Sequence, residues 1–105
     1  MREIRLAHLD KTRPVVILTR NLALETMTKV TVAPITTTLK GLSSEVPVGA
    51  LNGLDHGCAI AVDNVVTIPK NLIGRFIGCL TAEQEQSLAR ALVLAYDLEI
   101  TLDAE

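Results

Sequence analysis

Tryptophan is absent from this chain, and Phe76 and Tyr96 supply its only large aromatic rings. The core must therefore be aliphatic, and an aromatic platform on which successive bases stack is poorly supported. Cysteine is nearly absent too. Cys58 and Cys79 are neither neighbours nor set in a metal-ligand spacing, so they read as buried, reduced thiols. No apolar run approaches the length of a bilayer span, and Met1 to Asp10 is charged without an apolar h-region. The expectation is a cytoplasmic protein with no membrane partner. An excess of one charge is also missing. Ten basic and twelve acidic residues give a formal charge of −2, so binding to nucleic acid would have to rest on local charge. The chain has no glycine-rich phosphate loop, no His/Cys/carboxylate cluster and no nucleophile elbow, and neither cofactor nor metal is expected.

What is present is a globular composition, 49 % hydrophobic over 105 residues, enough for a single domain spanning 1–105 with one modest core. Two stretches stand out. Thr12 to Thr19 and Val30 to Thr38 are apolar, β-branched runs that read as buried strands. The first begins with Arg13 beside Pro14, and the second ends in the hydroxyls of Thr36, Thr37 and Thr38. If these strands pair, Arg13 and Thr36 meet at one rim of a sheet with room for a phosphate between them.

The remaining elements are short. Glu3 to Leu9 alternates polar and apolar residues, as a half-exposed strand does, and Asp10-Lys11-Thr12 is a turn. Pro14 has no N–H for a ladder and belongs at a strand start or an edge. Asn21 to Met27 allows a short helical turn. Lys40-Gly41-Leu42 is a turn, and Ser43 to Val48 is a strand placed at an edge by Pro47. Gly49 to Gly57 is a loop rich in turn residues. Strands follow at Cys58–Val62, Val65–Ile68 and Arg75–Leu80, with Asp63-Asn64 as a polar break and Asn71 to Ile73 as a link. Thr81 with Gln84 three residues on is close to a capping box, and the apolar spacing from Ala82 to Leu98 is helical. The fold class is mainly β with a C-terminal helix, either α+β or a small barrel.

For chemistry, a guanidinium offers fixed donors that match phosphate oxygens in pairs, so Arg13 is the first candidate. Its alternative is to pack its stem on the sheet and pair with Asp10. Strand side chains alternate, so Thr36 and Thr38 share a face and either could join Arg13 on a phosphate. His8 reads as a tolerated sheet-face residue and His56 as a solvated loop side chain.

The order TRPVVILTR, VTVAPITTTLKGLSSEVPVG, DNVVTIPK and GRFIG, followed by the terminal helix, resembles the MazF/PemK toxins. The match runs over roughly residues 3 to 98. That resemblance implies a small SH3-like β-barrel, a homodimer and a cognate antitoxin protein as partner. It implies metal-independent cleavage of single-stranded RNA at short sequence motifs, by attack of the ribose 2′-hydroxyl on the adjacent phosphorus. Arg13 and Thr36 fall on the family's catalytic pair, and Asp63 and Asn64 on the pair lining its RNA groove. Thr38 and Lys40, next to that constellation, are further RNA-binding candidates. A gyrase-poisoning toxin of the same barrel, and an inactive scaffold that only binds an antitoxin, are the competing readings, since a fold does not fix a function.

Overall fold

The computed structural model describes residues 2–20 and 26–99. Its strands are β1 (Glu3–His8), β2 (Thr12–Ile17), β3 (Lys29–Thr36), β4 (Glu45–Val48), β5 (Cys58–Ala61), β6 (Val66–Pro69) and β7 (Ile73–Cys79), followed by helix α1 (Ala82–Ala95). They form one curled antiparallel sheet in the order β4-β5-β3-β2-β1-β7, with β6 paired to the free stretch of β3. A mainly β chain with one C-terminal helix is what the sequence leads one to expect.

β2 and β3 sit in the middle because both of their faces are apolar. Val16, Ala33 and Ile35 point to one side, into a core closed by β4, β5 and by Leu88 and Ala91 of α1. Val15, Ile17, Val30 and Val32 point to the other, into a smaller core closed by Ile68 of β6. A strand buried on both faces reads as a continuous apolar run rather than an alternating one, which is the pattern of Pro14 to Leu18.

The prolines shape the end of this sheet. Leu18 N donates to Thr31 O at 2.8 Å, so the even-numbered backbone groups of β2 face β3. Pro14 is even-numbered and has no N–H to give, and the β2–β3 ladder ends one residue earlier, at Val15–Pro34. Pro34 turns its missing donor to the opposite side, where β3 changes partner. The β6 ladder stops at Val32 and the β5 ladder starts at Ile35. Pro14 thus ends the β2–β3 ladder at the rim, while Pro34 sits where β3 passes from β6 to β5.

Helix α1 starts where the sequence says it should. Thr81 Oγ1 accepts from Gln84 N at 3.1 Å, and Gln84 Oε1 accepts from Thr81 N at 2.9 Å, a complete capping box. It ends at Ala95 rather than Leu98; Asp97 takes a left-handed φ of 54°, and Tyr96 donates its hydroxyl to Val62 O at 2.8 Å. Other boundaries shift by short turns. Ser43 and Ser44 form a turn before β4, and Thr12 opens β2 instead of closing the preceding turn. Ala50–Asn52, Val62–Asn64 and Lys70–Leu72 are single 3-10 turns where loop, strand end and link were expected. The expected helical turn at Asn21 to Met27 lies, over residues 21–25, outside the described residues. Cys58 is buried and Cys79 half-buried, both free thiols. Among the described residues no helix is long and apolar enough to cross a membrane.

Candidate active site

One cavity of about 300 Å³ opens at the prolines' end of the sheet, and all six residues singled out from the sequence line it: Arg13, Thr36, Thr38, Lys40, Asp63 and Asn64. They arrive from three directions. Arg13 lies at the start of β2, on the same face as Val15. Thr36 closes β3, and Thr38 and Lys40 follow in the β3–β4 loop. Asp63 and Asn64 come from the 3-10 turn after β5. His8 is exposed with Nδ1 2.9 Å from Thr12 Oγ1, and His56 is exposed in the β4–β5 loop; neither lines this cavity.

Arg13 makes the local pair foreseen for it and leaves one donor unmet. Its Nη2 donates to Asp10 Oδ1 and Oδ2 at 3.1 and 3.2 Å, the local pairing that spacing suggested. Asp10 is 76 % exposed, so this pair is a weak one. Arg13 Nε, by contrast, is buried without a hydrogen-bond partner among the described residues. A buried donor left unmet costs about 1–3 kcal/mol. An oxygen anion entering beside Arg13 would relieve that cost and could replace the exposed carboxylate.

Thr36 is set up to donate. Its Oγ1 accepts from Thr38 N at 3.0 Å, which occupies a lone pair and leaves the hydroxyl proton free for another acceptor. Asp63 is anchored by the buried Ser44, whose hydroxyl donates to Asp63 Oδ2.

Glu45 is the residue that sequence reasoning missed. It was read as part of an edge strand, yet its carboxylate also fastens the cavity's outer wall. Oε1 accepts from Gly41 N at 3.0 Å and Leu42 N at 3.2 Å, and Oε2 accepts from Lys40 N at 3.0 Å. Three successive N–H groups converging on one anion make a nest, and Gly41 at φ 73° supplies the left-handed residue it needs. The signal was there in part: a glycine next to a lysine, with a carboxylate a few residues on. The loop carrying Lys40 is thereby held at the cavity mouth rather than swinging free of it. Among the described residues no three His, Cys, Asp or Glu side chains come together as a metal-binding group.

Comparison with known proteins places this geometry among relatives. Residues 3–96 match the family described as PemK-like, MazF-like toxin of type II toxin–antitoxin system. The chain is 54 % identical over 99 residues to Endoribonuclease MazF3 of Mycobacterium tuberculosis, covering 94 % of this chain and 96 % of that protein. It superposes on the solved structure of the Mycobacterium tuberculosis toxin MazF-mt6 with a TM-score of 0.92 and 52 % identity, over 94 % of this chain and 100 % of that one. A mycobacterial endoribonuclease in complex with its cognate antitoxin has the same fold, with a TM-score of 0.84 at 23 % identity, over 94 % and 95 % of the two chains.

Proposed function

The chain belongs to the PemK-like, MazF-like toxin family and is an endoribonuclease of that kind, and we propose that Arg13 and Thr36 carry its cleavage of single-stranded RNA. The observation that carries this reading is the convergence of six residues on one cavity, one of which, Arg13, also carries a buried N–H without a partner among the described residues. A phosphodiester entering there meets a permanent positive charge and a hydroxyl with its proton to spare. The ribose 2′-hydroxyl attacks the adjacent phosphorus, the bond from phosphorus to the 5′ oxygen breaks, and the products are a 2′,3′-cyclic phosphate and a 5′-hydroxyl. Arg13 stabilises the charge that grows on the phosphoryl oxygens, where a preorganised cation counts most. Thr36 donates to one of those oxygens and fixes the phosphate in line. Lys40 and Thr38 hold the flanking backbone, and Asp63 and Asn64 present acceptor and donor groups to a base edge.

This mechanism asks for no metal, because the nucleophile belongs to the RNA. Purified protein incubated with a long RNA in EDTA should therefore cut it at a short recurring motif, and mapped fragments should begin with 5′-hydroxyls. Fragments beginning with 5′-phosphates, or activity that disappears with EDTA, would rule the mechanism out.

The partners follow from the same site. The antitoxin is an acidic segment whose carboxylates occupy the cavity and compete with RNA for Arg13 and Lys40. In the assay just described an equimolar antitoxin peptide should stop cleavage; undiminished cutting with the peptide bound would place it elsewhere. A symmetric homodimer in the cytoplasm is the assembly that suits a small aliphatic barrel presenting an extended groove. Sedimentation at working concentration would show it, and a monomer that cuts at full rate would dismiss it.

A further inference from the structure

The same end of the sheet bears a second cavity, on the opposite face of β2 and β3. Side chains alternate along a strand, so Arg13 and Thr36 line one side of the rim while Pro14 and Thr37 line the other. This second cavity measures about 340 Å³, and Pro14 and Thr37 share it with Leu54, Asp55, His56 and Arg75. None of the last four belongs to the site described above.

Its outer wall is pinned. The β4–β5 loop, which supplies Leu54, Asp55 and His56, presses its backbone directly on β7, which supplies Arg75. A side-chain carbon on Gly53 would sit 2.5 Å from Ile77 O, and one on Gly78 would sit 2.1 Å from Asn52 O. Only two glycines allow so close an approach, and Gly53 also needs its φ of 86°. Asn52, 1 % exposed, donates to Cys79 O at 2.9 Å, and Cys58 Sγ donates to His56 O at 3.2 Å. The carboxylate, imidazole and guanidinium are thus brought to one place by a clamp between distant parts of the chain.

The chemistry of the lining is that of a base pocket. Leu54 and Pro14 give an apolar surface for a flat ring. Asp55 accepts hydrogen bonds, Arg75 donates them, and His56 and Thr37 can do either. An unstacked base in single-stranded RNA offers such mixed groups on its edge, whereas a bare phosphate gains nothing from a carboxylate.

We propose that this cavity is a base-recognition subsite. On the nuclease reading above, an RNA whose scissile phosphate rests on Arg13 crosses the rim made by Arg13-Pro14 and Thr36-Thr37, and its neighbouring base enters the second cavity. Asp55 and Arg75 read that base and set one position of the cleavage motif.

The test is cleavage of an RNA pool randomised around the cut site, by the unsubstituted protein and by Arg75→Ala and Asp55→Asn. Both side chains belong to exposed residues, and matching melting curves will confirm that the variants fold. Preference at one position beside the cut bond should fall about tenfold in relative kcat/KM, while preference at the other positions persists. A uniform loss of rate over all sequences would mark a phosphate contact and overturn the proposal, as would an unchanged motif. Failure of the unsubstituted protein to cut any RNA would refute the nuclease reading itself, and would be seen before any variant was compared.

Discussion

Arg13→Ala is expected to lower RNA cleavage by roughly 10²–10³-fold, the loss seen when one preorganised group is withdrawn from a developing oxyanion. The fold should survive it. Arg13 stands at the rim, its pair with the exposed Asp10 contributes little, and its buried Nε stabilises nothing in the free protein. Removing it should leave the melting temperature unchanged or slightly raised, while single-turnover cleavage collapses. Arg13→Lys should recover only part of the rate, because an ammonium keeps the charge and loses the planar fork. An Ala variant that cuts at full speed would remove Arg13 from the mechanism.

Gly78→Ala should have the largest effect on stability. Its added carbon would lie 2.1 Å from Asn52 O, and the obstacle is backbone that a hydrogen-bonded turn holds in place. Overpacking against a side chain typically costs 1–3 kcal/mol; against fixed backbone the expectation is about 3 kcal/mol or more. For a domain of this size that lowers the melting temperature by roughly 12 °C or more. Gly57→Ala is the control, since nothing lies within 4 Å of its added carbon. It should change stability by no more than about 0.5 kcal/mol. Thermal melts of both variants settle the matter: equal melting temperatures would mean that the clamp between the β4–β5 loop and β7 yields freely.

What could be read from the sequence is what local chemistry determines. β-branched runs announce β2 and β3, and Thr81 with Gln84 announces α1; the strand expected to reach Thr38 ends at Thr36, and Thr38 comes to the same cavity from the loop instead. Even the meeting of Arg13 with Thr36 follows once those strands are neighbours. What stayed hidden depends on parts of the chain brought together only by folding. Asn52 sits in a loop that the sequence marks only as rich in turn residues. Asn52 is buried, joined to Gln84 by a bond of 2.6 Å across 32 residues. Glu45 reads as one more strand residue, and its grip on the loop is visible only when the loop's path is known. The roles of Pro14 and Pro34 depend on which backbone groups face which neighbour, and a single strand's sequence does not carry that parity. The 3-10 turns are too short to have a periodic signature.

The most direct measurement is the NMR signal of the Arg13 Nε–H group, followed as the protein binds an RNA whose cleaved nucleotide is 2′-deoxy. Such an RNA keeps the phosphate and lacks the nucleophile, so the complex should form and persist uncut. If the buried donor receives the scissile phosphate, its resonance should move strongly downfield and become protected from solvent exchange, with the Thr36 amide shifting alongside. An Arg13 signal unmoved at saturating RNA, or a deoxy substrate that is cut like the ribose one, would contradict the account.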